Sequence, residues 1–117
     1  MNLNKENYKE NLKGISVVEV SGESCANCLT LMPILHELLK VYPDVNHHHL
    51  EVNEENIDLV HTFDIDRVPT ILVMFNENIE ARCTGYQPEE ILEIWLEDKI
   101  NSIKIREKNA LEYILLE

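Results

Sequence analysis

The sequence predicts an α/β protein with one mixed central sheet of four to five strands and helices on both of its faces. Two observations lead to this fold class. Segments with helical spacing of apolar residues alternate along the chain with short segments rich in β-branched residues. The last two strand-like segments are joined only by Asn76-Glu77-Asn78, which is typical of a hairpin. Because helix-connected strands pair in parallel and hairpin strands pair antiparallel, we expect the sheet to be mixed.

The first half of the chain supplies two strands and two helices. These are predicted as a helix over 3–12, a strand over 15–20, a helix over 25–41 and a strand over 45–52. Asn4 is a candidate helix cap, and Gly14 ends the first helix. The first strand is dominated by Ile and Val, which favour buried strands. The long helix has apolar residues at helical spacing, and Pro43-Asp44 turns the chain after it.

The second half continues the alternation and ends in the hairpin and a helix. These elements are predicted as a helix over 54–63, strands over 70–75 and 79–84, and a helix from about 88 to 100. Asn53 is a candidate cap for the first of these helices. The residues of that helix expected to face inward are Ile57, Val60 and Phe63. Gly85 breaks the last strand, and Pro88 fits the first turn of the final helix.

The composition fits a single acidic domain. The chain has 117 residues, of which 44% are hydrophobic, and this suffices for one core. Its net charge of −12 would be repelled by nucleic acids and by anionic membranes, so we expect neither as a partner. The acidity is typical of a solvated surface that aids solubility.

Cysteine usage and the N-terminus indicate a reducing compartment. The segment that begins Met1-Asn2-Leu3-Asn4 is polar and has no apolar core of the signal-peptide type. No apolar run approaches the roughly 20 residues that a membrane-spanning helix needs. Three cysteines form an odd set, which suits reduced thiols better than a disulfide framework. We therefore expect a cytoplasmic protein.

The pair Cys25-Ala26-Asn27-Cys28 lies where the first strand gives way to the long helix. Two cysteines three residues apart on a first helical turn share one face and can form a disulfide. The positive end of the helix dipole favours a thiolate there. These properties suit thiol–disulfide exchange. Two inert apolar residues are the alternative. A zinc half-site is another, although the chain has no second pair of this spacing.

Several positions together resemble the thioredoxin family over roughly residues 3–100. They are the cysteine pair after the first long strand, Pro33 five residues beyond Cys28, Val68-Pro69-Thr70 in place of the family's cis-proline loop, Gly85 before the last helix, and Glu19 in place of a buried aspartate. The resemblance implies the thioredoxin fold for residues 1–100. Residues 101–117 form a C-terminal extension that either packs on this domain or makes an oligomer contact.

The resemblance also implies a protein-disulfide reductase with Cys25, Cys28 and Glu19 as catalytic residues. Cys25 would attack the substrate disulfide, and Cys28 would resolve the mixed disulfide. The backbone of Val68, beside Pro69, would bind an extended substrate segment. No bound cofactor is implied. The expected partners are disulfide-containing proteins and an electron donor of thioredoxin-reductase type, and we expect a monomer or weak homodimer.

Arg67 adds a candidate positive charge near the thiolate, although an exposed loop arginine without a role is the alternative. Glu19 lies mid-strand between two valines. An unpaired buried carboxylate costs several kcal/mol, so we predict a raised pKa for Glu19. A carboxyl with a raised pKa can take the proton of Cys28. The alternative is that Glu19 reaches solvent at a strand edge.

Three histidines follow one another at 47–49. Successive strand residues point to opposite faces, so one metal ion cannot bind all three, and we predict no metal site there. His49 matches the family's lysine that partners the buried acid, which makes a Glu19–His49 pair a candidate. Cys83 is expected to be a packed small residue rather than a third catalytic thiol.

The sequence also departs from the family pattern. Ser24 replaces a tryptophan, and Ala26-Asn27 replaces Gly-Pro between the cysteines. These departures favour an alternative function, in which the protein is a binding module or redox sensor with little turnover. The extension at 101–117 has apolar residues at spacings that suit either a strand or a helix.

Overall fold

The structure is a computed structural model that describes residues 1–116, and it contains one four-stranded sheet with helices on both faces. The elements are α1 (Tyr8–Asn11), β1 (Ile15–Gly22), α2 (Ala26–Leu39), β2 (Asn46–Val52), a 3₁₀ turn (Glu54–Asn56), α3 (Ile57–Thr62), β3 (Thr70–Phe75), β4 (Asn78–Thr84) and α4 (Glu89–Leu116). The predicted α/β class, the order of elements and the mixed sheet are confirmed.

The strands lie in the order β2-β1-β3-β4. β1 pairs with β2 in parallel, whereas the β1–β3 and β3–β4 pairs are antiparallel. The N-terminal segment adds a fragment of a fifth strand outside β2. There, the amide of Leu3 donates to the carbonyl of His49 at 2.7 Å, and the amide of His49 donates to that of Met1 at 2.8 Å. β1 is thus a central strand, and Glu19 lies in its middle.

Two apolar cores cover the two faces of the sheet. Because side chains alternate along a strand, β1 contributes to both cores. Ile15 and Val17 pack with α2 and α4 on one face. Val18 and Val20 pack on the other face with the N-terminal region and α3. Glu19 is in phase with Ile15 and Val17, so its carboxylate lies on the α2 face.

Two predicted helices differ from the structure. The helix expected over 3–12 is limited to Tyr8–Asn11, because the side chain of Asn4 accepts from the amides of Glu6 and Asn7 at 2.9 Å and forms a turn instead. The helix expected over 54–63 begins as a 3₁₀ turn capped by Asn53.

The 3₁₀ turn changes which side chains of the following helix are buried. The expectation that Ile57 faces inward is wrong, since it is 46% exposed, and Leu59 is buried in its place. Val60 and Phe63 are buried as expected. A 3₁₀ turn has fewer residues per turn than an α-helix, so it shifts the phase of the residues that follow.

The C-terminal residues 101–116 are helical and continue α4 without a break. Ile103 is buried against the core at 2% exposure, and Arg106 forms an ion pair with Glu80 at 2.8 Å. All residues from 107 to 116 are exposed. The division at residue 100 therefore falls within a helix, and the role of the extension stays a prediction. No helix within residues 1–116 is both long and apolar enough to cross a membrane.

Candidate functional site

Cys25 and Cys28 are joined by a disulfide at the start of α2. Their sulfur atoms are 2.12 Å apart and their Cα atoms 5.2 Å apart. Ser24 has a φ of 54°, in the left-handed region, and turns the chain from β1 toward the helix. Cys25 is the N-cap residue, and its sulfur accepts a hydrogen bond from the amide of Cys28 at 3.1 Å. A donor directed at this sulfur favours a thiolate when the pair is reduced.

The two cysteines differ in accessibility. Cys25 is partly exposed, whereas Cys28 is buried at 3% exposure. A groove of about 590 Å³ opens beside them. Its lining combines apolar residues with polar ones, and it includes Ala26, Leu29, Met32, Ser21, His49 and Glu51. A partner can therefore reach the sulfur of Cys25, and Cys28 lies beneath it.

The loop before β3 approaches the disulfide from the other side. The Val68–Pro69 peptide bond is cis. Pro69 and Thr70 line a small cavity of about 10 Å³ together with Cys28 and Glu19. Within residues 1–116, no hydrogen bond engages the amide or carbonyl of Val68. The backbone of Val68 is thus free to pair with a bound segment.

Arg67 is not brought to the site. Its side chain is exposed, and it lines neither the groove nor the small cavity beside the cysteines. Its carbonyl oxygen accepts a hydrogen bond from the hydroxyl of Thr70 at 2.7 Å. This bond helps to shape the loop, and a role of the Arg67 side chain in substrate binding stays a prediction.

Glu19 lies under α2, surrounded by imidazole rings. It is 6% exposed, so the alternative of a solvent-reaching carboxylate is excluded. Its Oε1 atom is 3.2 Å from Nε2 of His36 and 3.2 Å from Nδ1 of His49. Its Oε2 atom is 3.7 Å from Nε2 of His47. The candidate Glu19–His49 pair is confirmed, and two further histidines join it.

The pKa of Glu19 is shifted in the direction opposite to the prediction. Burial by itself raises this pKa, but the surrounding rings of His47, His49 and His36 outweigh burial and hold it well below its ordinary value. The prediction assumed an unpaired carboxylate, whereas this one is hydrogen-bonded to His36 and His49 and lies 3.7 Å from the ring of His47. The interaction with Glu19 in turn raises the pKa of His49, against the effect of its burial.

The side chains of the three successive histidines alternate between the two faces of the sheet, as expected. His47 and His49 share the α2 face with Glu19, whereas His48 points to the opposite face and contacts the carbonyl of Asn11 at 3.1 Å. The residue that sequence reasoning missed is His36. Its position eight residues after Cys28 places it on the same side of α2, which is the signal that could have found it.

Cys83 is separate from this site. It lies on β4, partly buried, and packs against the core under α2 and α4. Burial raises the pKa of its thiol. It therefore behaves as the packed small residue that the sequence predicts.

A disulfide at the start of a helix, above a mixed sheet and beside a cis-proline loop, defines a thiol–disulfide oxidoreductase. The profile of the thioredoxin family matches residues 1–98. The chain belongs to the thioredoxin family. A curated thioredoxin of Chlamydia pneumoniae is 28% identical over 91 residues, which span 77% of this chain and 88% of that protein.

Solved structures of thioredoxins share the fold. Thioredoxin f2 of Chlamydomonas reinhardtii superposes with a TM-score of 0.72 at 22% identity, over 80% of this chain and 91% of that one. Thioredoxin f of spinach chloroplast superposes with a TM-score of 0.73 at 23% identity, over 89% of this chain and 85% of that one. Thioredoxin f2 in its complex with ferredoxin:thioredoxin reductase superposes with a TM-score of 0.76 at 22% identity, over 84% of this chain and 92% of that one.

Proposed function

We propose that this thiol–disulfide oxidoreductase reduces disulfides in proteins. The observation that carries the proposal is the unequal exposure of the two cysteines, with Cys25 open to a partner and Cys28 buried beneath it. An exposed nucleophile can reach a disulfide on a large partner. A buried second thiol attacks only when the mixed disulfide has formed above it.

The reaction passes two electrons from the dithiol to the substrate. The thiolate of Cys25 attacks one sulfur of the substrate disulfide, which releases the other substrate sulfur as a thiolate that takes up a proton. The thiolate of Cys28 then attacks Sγ of Cys25 and releases the second substrate thiol. The protein is left with the Cys25–Cys28 disulfide, and the substrate with two thiols.

The loop at Val68 and Pro69 supports a protein as substrate. An extended segment of the partner would pair with the free amide and carbonyl of Val68 and place its disulfide above Cys25. Main-chain pairing of this kind gives affinity with little dependence on sequence. The apolar part of the groove, at Ala26, Leu29 and Met32, would accept side chains that flank the disulfide.

In this scheme, the carboxylate of Glu19 does not accept the proton of the Cys28 thiol. A carboxylate whose pKa is held below its ordinary value is a weak base near neutral pH. It lies across a small cavity from Cys28, and its carboxylate is in contact with the rings of His36 and His49.

The oxidised protein has to be reduced again by an external donor. The complex of thioredoxin f2 with its reductase provides a precedent in a protein of the same fold. We propose a donor of the thioredoxin-reductase type and a cytoplasmic, reducing environment, in which three cysteines in one chain remain thiols between turnovers.

Insulin reduction driven by dithiothreitol tests the proposal. Cys25→Ser should abolish turnover, and Cys28→Ser should accumulate a mixed disulfide through Cys25. Cys83→Ser is the matched control and should retain full activity, because Cys83 lies outside the site. Turnover in the Cys25→Ser protein would contradict the attacking role. A folded protein that forms its disulfide but does not reduce insulin would favour the binding module or sensor.

A further inference from the structure

The exchange reaction proposed above assigns no step to the cluster of Glu19 with His36, His47 and His49. The register of the parallel pair β1–β2 sets Glu19 beside His49 and Val17 beside His47, so three of the four side chains share the α2 face. His36 reaches the cluster from α2. Together they form a cluster of one carboxylate and three imidazoles between α2 and the strands β1 and β2.

The distances in this cluster suit ligands of one ion. The donor atoms of Glu19, His36 and His47 all lie within 4.8 Å of one another. Zinc bonds of about 2.0–2.1 Å in a tetrahedron separate neighbouring ligand atoms by about 3.4 Å. The separations between Glu19 and its histidine partners are 3.2, 3.2 and 3.7 Å. The widest of these separations, 3.7 Å, joins Oε2 of Glu19 to Nε2 of His47.

Two buried atoms of the cluster have no hydrogen-bond partner within the described chain. They are Oε2 of Glu19 and Nε2 of His47, and they face one another. Buried polar atoms without partners are rare, because each loses its interaction with water. An ion bound between these two atoms would engage both.

His49 lies beside this set of three and positions its carboxylate. The Nδ1 atom of His49 is 3.2 Å from Oε1 of Glu19, and its Nε2 atom is 3.0 Å from Oε2 of Glu51. A ring held from both sides in this way fixes the orientation of the Glu19 carboxylate. Carboxylates that bind metals in proteins are themselves hydrogen-bonded by such outer partners.

From these observations we propose that Glu19, His36 and His47 bind one divalent transition-metal ion such as Zn²⁺, with a water molecule or another small ligand at the fourth position. Imidazole with a single carboxylate suits zinc, cobalt, nickel and copper. Calcium and magnesium prefer sites built from oxygen ligands. This site revises the expectation from the sequence that the histidine run has no metal role, because one of its members, His47, meets candidate ligands from β1 and α2.

The test uses the full chain in its disulfide form with Cys83→Ser, so that no thiol can bind the added metal. After treatment with EDTA, which is then removed, the protein is titrated with Zn²⁺ by calorimetry and with Co²⁺ by visible absorption. We expect one ion per chain and the intense bands of four-coordinate Co²⁺.

The variants distinguish this site from the acidic surface. His36→Gln changes a half-exposed residue and should leave the fold intact, and His47→Gln provides a second position. Each should weaken binding by at least about tenfold, since loss of an outer partner alone costs 10–100-fold. Glu51→Gln should weaken metal binding less, because Glu51 acts only through His49. His61→Gln is the matched control, because His61 is an exposed histidine on α3, outside the cluster, and it should bind as the parent does.

Two results would overturn the proposal. One is that the parent protein shows neither a heat of binding with Zn²⁺ nor the visible absorption bands of bound Co²⁺. The other is equal affinity in the His36→Gln, His47→Gln and His61→Gln proteins, which would place any bound ion elsewhere.

Discussion

The amide of Gly85 donates a hydrogen bond to the carbonyl of Pro69 at 2.7 Å. This bond joins the residue after β4 to the loop that lies beside the disulfide. Gly85 has a φ of +83°, a conformation in which a Cβ atom is disfavoured. The shape of the candidate substrate loop thus depends on a glycine that is not itself part of the site.

Gly85→Ala should lower kcat/KM for a protein disulfide. An L-residue in the left-handed region costs about 1–2 kcal/mol, and relaxation of this strain would shift the donor to Pro69. Gly14→Ala is the matched control, since Gly14 also has positive φ and open space around an added Cβ, but lies at the other end of β1. Both variants should lose similar stability in urea, and only Gly85→Ala should lose activity. Equal activity losses would contradict a specific role of the Gly85–Pro69 bond.

Cys83 should react slowly with iodoacetamide near neutral pH in the oxidised protein. Burial raises the pKa of this thiol, so the reactive thiolate becomes abundant only above the ordinary pKa of a cysteine. In the folded protein, the rate of alkylation should therefore keep rising with pH in the alkaline range. In the protein unfolded in urea, the rate should reach its plateau at a lower pH. Mass spectrometry of the oxidised chain measures this rate directly, because Cys25 and Cys28 are protected by their disulfide. Identical pH profiles for the folded and unfolded protein would contradict the prediction.

Glu19→Gln should destabilise the metal-free protein by about 1–3 kcal/mol. The substitution keeps the shape of the side chain but removes the charge that three imidazoles surround, and it leaves buried polar groups poorly paired. Urea unfolding in EDTA measures the loss. Glu37→Gln is the control, because the exposed pair of Glu37 with Lys40 should contribute about 0.5 kcal/mol or less. Equal effects of the two substitutions would argue against a stabilising role of the cluster.

Removal of residues 107–117 should cost about 1 kcal/mol or less, since the described part of this segment is exposed. Removal of residues 101–117 should cost about 2–5 kcal/mol more, because it also deletes the buried side chain of Ile103. Urea unfolding of the two shortened chains measures the difference, and sedimentation of the full chain tests for self-association. Equal stability of the two chains would show that Ile103 contributes little to the core.

Much of the fold follows from local patterns in the sequence. The strands around Val18 and Leu72 are predicted because their apolar residues are contiguous and β-branched or aliphatic. The start of α4 is predicted from Pro88 and the acidic residues after it. The short α1 is not, because Asn4 can serve either as a helix cap or as the acceptor in a turn, and only tertiary packing decides between them.

Part of the candidate site can likewise be predicted from the sequence, and part of it cannot. The cysteine pair and the loop at Pro69 have fixed spacings that a sequence reveals. The environment of Glu19 depends on His36, which is 17 residues away in the chain, and on the strand register that brings His47 and His49 beside it. The sign of the pKa shift of Glu19 depends on these long-range neighbours, so burial alone predicts it wrongly.

The sulfur of Cys25 caps α2 and is also the proposed nucleophile. Replacement of this residue therefore tests two properties, and the choice of replacement decides which. Serine keeps an acceptor for the amide of Cys28 but removes the redox chemistry and the disulfide, so its stability is compared with that of the reduced parent. Alanine removes both, at a cost of about 1 kcal/mol in helix stability. A serine variant that is inactive but melts at the same temperature as the reduced parent would show that the sulfur is needed for reactivity and not for folding. The alanine variant cannot show this, because it loses the helix cap as well.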